Sequence, residues 1–208
     1  MNPLQLILGD EEFLIDRATS SIIRAVRSTM QSNPEELPIT KLRAGDVTPS
    51  EISELLSPSL FAEDRVVILA AAGEAGKEAA STIEQAVKEP APGVVLIVIH
   101  SGGGRAKNLV KILKNAGADV TECPKLTKFS EREDFVVNEF RNLGVRPSRD
   151  TVHALLDAIG GDLRELASAV SQLVADTGGR VDPAAVRRYY AGIAGVTAVS
   201  YTHLTLPT

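Results

Sequence analysis

GVVLIVI, residues 93–99, is an uninterrupted apolar run dominated by β-branched residues, and RVVIL at 65–69 is its shorter counterpart. A strand with one wet face alternates apolar and polar residues, whereas a strand covered on both faces reads as a continuous run. These two stretches therefore predict central strands of a parallel sheet. Outward from them the pattern repeats. LQLIL (4–8) and ITKL (39–42) read as further strands, and ADVTEC (118–123) as a weaker last one. Helical spacing fills the gaps: Phe13, Leu14, Ala18, Ile22, Ala25 and Val26 in the first, then stretches around 74–88 and 105–116. TPSE (48–51) marks another helix start, with Thr48 as cap, Pro49 in the first turn and Glu51 closing a capping box. Strand alternating with helix predicts a parallel sheet with helices on both faces.

After Lys125 the strand signal stops. FSERE places Ser130 and Glu133 in capping-box register, opening a helix to about Leu143 that Gly144 ends. A second helix is expected over 148–159. Gly160-Gly161 breaks the chain, Asp162 caps a third helix carrying Leu163, Leu166, Ala169, Val170 and Leu173, and a fourth begins at Asp182-Pro183. The expected organisation is an α/β domain over 1–128 and a small all-α domain over 129–198. The closing VSYTHLTLPT (199–208) carries no charge and no period, and it resembles the translation of a transposase adapter used in sequencing libraries. It is expected to be a non-native tail, with the native chain interrupted near Ala198.

Composition narrows the function. Of 208 residues, 44% are hydrophobic and 24% charged, enough for a packed core. The 22 basic residues are outnumbered by 27 acidic ones, giving a net charge of −5. An autonomous nucleic-acid binder normally carries a basic excess, so contact with DNA is expected only through an assembled complex. No apolar run is long enough to span a bilayer, and no leader pattern opens the chain, which reads as cytoplasmic. A single cysteine, Cys123, excludes an internal disulfide and a cysteine-based zinc site; it is expected to be a reduced, half-buried thiol.

A sheet domain followed by a helical one is the architecture of AAA+ switch proteins, so a phosphate cradle is the feature to seek. A Walker A loop needs glycines, a Lys, and a Ser or Thr for Mg²⁺, between a strand and a helix. LGDEEFLIDR has the right place but presents Asp10, Glu11 and Glu12, which would repel a triphosphate. AAAGEAGKEA holds Gly76-Lys77, yet Ala71 stands at the first glycine position and Glu78 at the hydroxyl position. HSGGGRAKNL offers Gly102 to Gly104 with Arg105 and Lys107, either an anion-binding nest or an ordinary surface loop. His100 is the one candidate base beside it, and His153 falls within helical periodicity as a packed or half-exposed residue. No catalytic residue, cofactor site or metal site is expected.

SPSLFAEDRVVIL (57–69) poses a separate question, because Leu60 and Phe61 stand together at a junction in a chain with only five Phe and no Trp. Spacing alone allows two answers: core packing at the end of the preceding helix, or an exposed anchor. LILGDEEFLIDRA (6–18), SLFAEDRVVIL (59–69) and GGDLRELASAVSQL (160–173) together resemble the bacterial DNA polymerase III delta subunit, in order and spacing across nearly all of residues 4–190. The resemblance implies a degenerate AAA+ domain without a nucleotide site, a helical lid, and a collar domain that this chain lacks. It implies a clamp-loader subunit that binds the sliding clamp (beta subunit) and opens its ring without binding ATP. Other implied partners are the tau/gamma and delta-prime subunits. By the same resemblance Ser59, Leu60 and Phe61 form the clamp-binding segment, which favours the exposed anchor. A divergent P-loop NTPase, or an AAA+-like adaptor, is the alternative.

Overall fold

The strands of the first unit lie in the order β2-β3-β4-β1-β5, every neighbouring pair parallel. This computed structural model describes residues 1–29, 37–58 and 64–190. Ser59, Leu60 and Phe61, and the tail at 199–208, lie outside the described residues. The chain divides into two compact units, Met1–Lys125 and Leu126–Thr208.

In the first unit β1 (Leu4–Gly9), β3 (Arg65–Ala70) and β4 (Val94–His100) are central, and β2 (Ile39–Arg43) and β5 (Asp119–Cys123) are the edges. Burial follows position. Val66 to Leu69 of β3 are all buried, as are Leu4 to Ile7 of β1, whereas only Cys123 of β5 is. The chain steps from β1 to the far edge at β2, then returns through β3 and β4 and passes β1 to reach β5. Right-handed crossovers put the helix of the outward step on one face and those of the return on the other. Accordingly α1 (Glu12–Thr29) packs alone, with Leu14, Ile15, Ala18, Ile22, Ile23 and Val26 against Ile7, Val66, Ile68 and Ile97. The opposite face takes α2 (Pro49–Leu56), α3 (Lys77–Lys88) and α4 (Leu109–Asn115), through Ile52, Ile83, Leu109 and Leu113.

The second unit is all helix among its described residues: α5 (Phe129–Asn142), α6 (Arg149–Ile159), α7 (Leu163–Thr177) and a further helix, α8, over 183–190. Its core joins Phe135, Val136 and Phe140 of α5, Leu155 of α6, and Leu166, Val170 and Leu173 of α7. The class is the one expected, a five-stranded parallel α/β unit followed by a small helical unit.

Local signals are met where capping is purely local. Thr48 accepts from the Glu51 amide at 3.3 Å while Glu51 accepts from the Thr48 amide at 2.8 Å, a complete capping box. Ser148, Asp162 and Asp182 cap α6, α7 and α8 by the forward half alone, each side chain accepting from the amide three residues on. Gly178, left-handed at φ 59°, ends α7.

Several expectations need correction. The helix over 74–88 starts at Lys77, after a 3₁₀ turn at Ala72–Glu74. The helix expected from 105 starts at Leu109, because residues 105–108 form turns after Gly104, whose φ is 84°. α5 opens at Phe129, not behind Ser130: Lys128 is extended, and its amide donates to Glu131 Oε2 at 3.0 Å. Lysine has no acceptor to return, so only half of a capping box forms. Ala25 is exposed, and Ile15 and Ile23 join the core of α1 instead. Cys123 is fully buried rather than half-buried, and burial pushes its thiol above the ordinary range.

Candidate functional site

In an open α/β sheet the place for a ligand is the crevice at the carboxyl ends of two neighbouring strands whose following helices leave on opposite faces. Here that point lies between β1 and β4. What occupies it is decided by the turns that follow those strands.

The turn after β1 is tight. Asp10 and Glu11 alone separate β1 from α1, whereas a Walker A loop uses about eight residues. Gly9 has φ 147°, and a Cβ there would stand 1.9 Å from the Cys123 carbonyl oxygen. The Glu11 amide donates to that same oxygen at 3.1 Å. The turn is thus bound to the end of β5, with one amide already committed. Asp10 lies 3.8 Å from Lys125 on the surface, and Glu12 occupies the first turn of α1. Asp10, Glu11 and Glu12 surround the start of α1 with negative charge, which suits the helix dipole and would repel a phosphate brought there.

The turn after β4 is closed by another device. His100 is fully buried; its Nδ1 accepts from the Gly102 amide at 2.8 Å, which puts the ring proton on Nε2, 3.2 Å from the Ala106 carbonyl. Within this turn a Cβ at Gly102 would stand 3.8 Å from Leu8 Cδ1. Gly104 crosses the turn after β3 so closely that a Cβ would meet the Gly73 oxygen at 2.4 Å, and a Cβ at Gly73 would meet Gly103 O at 2.6 Å. The Ala106 amide donates to Gly73 O at 3.1 Å, and the Arg105 guanidinium donates to the Glu74 carbonyl. Glu74 is itself gripped by Arg43 through two guanidinium nitrogens at 2.8–3.0 Å. The amides of Gly102 and Ala106 are therefore spent on protein acceptors. The glycine loop is a backbone lock between two turns, and His100 is its staple, not a base beside a nest.

The Gly76-Lys77 stretch comes beside that lock. Gly76 is the N-cap of α3, and Ala71 is left-handed at φ 51° where a P-loop would want glycine. Gly76, Lys77, Ser81 and Glu84 share an open groove with Arg105 and Asn108, so two stretches separate in sequence meet. Among the described residues no group of three or more His, Cys, Asp or Glu is placed to hold a metal ion.

Ser59, Leu60 and Phe61 lie between α2 and β3, outside the described residues, and only their flanks have geometry. On the α2 side Ile52 and Leu56 are buried against the sheet. The Ser57 amide donates to Glu54 O at 3.3 Å, closing the helix. On the β3 side the Arg65 amide donates to Gly93 O at 2.8 Å, and the Arg65 Nη2 donates back to the Ser57 carbonyl. Sequence reasoning passed over Arg65. Its signal was an arginine at the head of an otherwise apolar strand.

In the helical unit His153 is half-exposed, as expected, bonded to Glu133 and edge-on to Phe129 at 5.4 Å; Arg149 reaches Glu133 at 3.6 Å. Glu133 thereby serves a contact between α5 and α6 rather than the helix cap expected of it. Among the described residues no helix is long and apolar enough to cross a membrane.

Comparison with known proteins places this geometry. Residues 6–124 match the family model described as DNA polymerase III, delta subunit. No curated protein matches the chain. Among solved structures, the Bacillus subtilis DNA clamp loader delta protein is similar with a TM-score of 0.72 and 22% identity, over 90% of this chain and 58% of that one. The Thermotoga maritima RuvB Holliday junction branch migration motor gives a TM-score of 0.48 and 10% identity, over 89% and 60% of the two chains. The chain thus spans a little over half the length of the solved proteins it matches.

Proposed function

The chain belongs to the DNA polymerase III delta-subunit family, and from that premise we propose that it works as the clamp-loader subunit that binds the sliding clamp and opens its ring. It does so as a non-catalytic part of the polymerase holoenzyme in the cytoplasm, without binding ATP itself. The tau/gamma and delta-prime subunits are its other partners, and DNA is met only through the assembled loader. Residues 1–128 are the degenerate AAA+ domain and 129–198 the lid.

The observation that carries this reading is the family match over 6–124, which includes the Ser59-Leu60-Phe61 segment. The physics of that segment suffices for an anchor. Burying a Leu and a Phe is worth about 1.5–3 kcal/mol each, and a few such side chains commonly dominate an interface. Ring opening then needs no hydrolysis here, only tighter binding to the opened ring than to the closed one. The two-residue turn after β1, with its carboxylates, supports the nucleotide-free part of the reading.

The test is a titration of the cognate clamp with the full chain and with its Leu60→Ala/Phe61→Ala variant. The variant is expected to keep its fold by circular dichroism and to bind at least about 100-fold more weakly. Undiminished affinity would remove the proposal.

A further inference from the structure

The two stretches that fail separately as phosphate cradles meet on the face of the sheet that carries α2, α3 and α4. Their meeting point is one end of an open groove between α3 and α4. The groove continues beyond it, because Glu84 and Ile112 line both this part and the next, which reaches Ala116. On the α3 side Lys77, Ala80, Ser81, Glu84, Val87 and Lys88 recur along it at helical spacing. It thus follows α3 for its 12 residues, roughly 18 Å at the helical rise.

Its chemistry changes along that length. The floor is apolar at both ends, with Ala80 and Leu109 at one, Val87 at the other and Ile112 between them. The unspent cations stand at the Gly76 end. Lys77 is exposed and has no ion-pair partner among the described residues. Arg105 beside it spends one guanidinium nitrogen on the Glu74 carbonyl. Farther along, Glu84 is neutralised by Lys88 at 3.2 Å.

These features discriminate between occupants. A nucleic-acid strand calls for cations repeated along its track, since every phosphate carries charge. Here the free cations stop after the first turn of α3, the floor is apolar, and the chain carries a net charge of −5. A protein helix with an apolar stripe and carboxylates at one end matches both parts of the groove.

We infer that the groove between α3 and α4 is a docking site for an amphipathic helix of another protein, its apolar stripe on Ala80 and Ile112 and its acidic end against Lys77 and Arg105. The site uses none of the residues assigned to the clamp and stands or falls without them.

The experiment places a photo-crosslinker in the groove of the full protein in its native cells, as Ser81→p-benzoylphenylalanine, and maps the adducts by mass spectrometry. The expected adduct is a protein segment with apolar residues at i, i+4 and i+7 and acidic residues at one end. Adding Lys77→Glu, an exposed change that leaves the core intact, is expected to cut its yield at least about 5-fold. Ala80→Arg, which blocks the floor, is expected to do the same. Should Ala80→Arg fail to fold by circular dichroism, Lys77→Glu decides alone. Adducts to nucleic acid alone, adducts to segments without that pattern, no adduct, or a yield indifferent to Lys77→Glu would each overturn the inference.

Discussion

The turn after β1 and the flanks of the connection between α2 and β3 are built oppositely. The first is two residues long, pressed on the Cys123 carbonyl at Gly9, with its Glu11 amide committed to that same oxygen and three carboxylates around it. The second runs over 58–64 between two pinned ends, and its sequence holds two of the chain's bulkier apolar side chains. Packing and charge close the position where a Walker A loop would stand. The lesson is that a parallel α/β sheet keeps its faces and crossovers even where the turn after its first strand is too short for a Walker A loop. In the proposed function it is the α2–β3 connection that acts.

The sharpest way to break the comparison is at Gly9. Gly9→Ala would drive a methyl into the Cys123 carbonyl at a φ that disfavours any side chain. Its expected cost is at least about 3 kcal/mol of unfolding free energy by urea denaturation. A loss under about 1 kcal/mol would mean that the turn is loose enough to rearrange around a ligand.

His100→Leu comes next. It strands the Gly102 amide and the Ala106 carbonyl inside the protein, for an expected loss of about 1–3 kcal/mol. Unchanged stability would reopen the glycine loop as an anion nest.

Thr48→Ala removes one cap far from either region, with an expected cost of about 0.5–2 kcal/mol. It sets the scale against which the other two are judged.

The smallest effect is acid dependence. The Thr48 amide holds the Glu51 carboxyl below its ordinary value of 4.5, and the Lys128 amide does the same for Glu131. A depressed folded-state value stabilises above about pH 4.5 and is lost as pH falls through the folded value. Glu51→Gln/Glu131→Gln is therefore expected to flatten the acid side of a Tm-against-pH curve; an unaltered acid limb would contradict these caps.

How much of this could be read from residues alone depends on the range of the forces involved. VVLIVI and RVVIL declared central strands because burial on both faces writes itself directly into composition. Thr48 and Asp162 declared helix starts because a cap bonds within three residues. The start of α4 was misplaced because what delays it is Gly104 crossing Gly73, a contact across 31 positions that no local window contains. Ser130 looked like a cap, but Glu131 reached Lys128 first, and Glu133 was drawn off to His153 on another helix. The sequence around Cys123 predicts a half-buried thiol because nothing nearby announces that α1 will cover it. The carboxylates after β1 are legible in the sequence, while the lock that consumes the glycine loop is not. Leu60 and Phe61 stand out by rarity, and the role proposed for them comes from family likeness rather than from periodicity.

By the proposed function the protein binds its ring-shaped partner with no help from nucleotide. The most direct measurement is the equilibrium isotherm of the full chain with its cognate clamp, recorded without nucleotide and again with saturating Mg²⁺-ATP. Superimposable curves, with no heat of ATP binding to the chain alone, are the expected result. An isotherm that shifts with ATP, or saturable binding of ATP to the isolated chain, would contradict it.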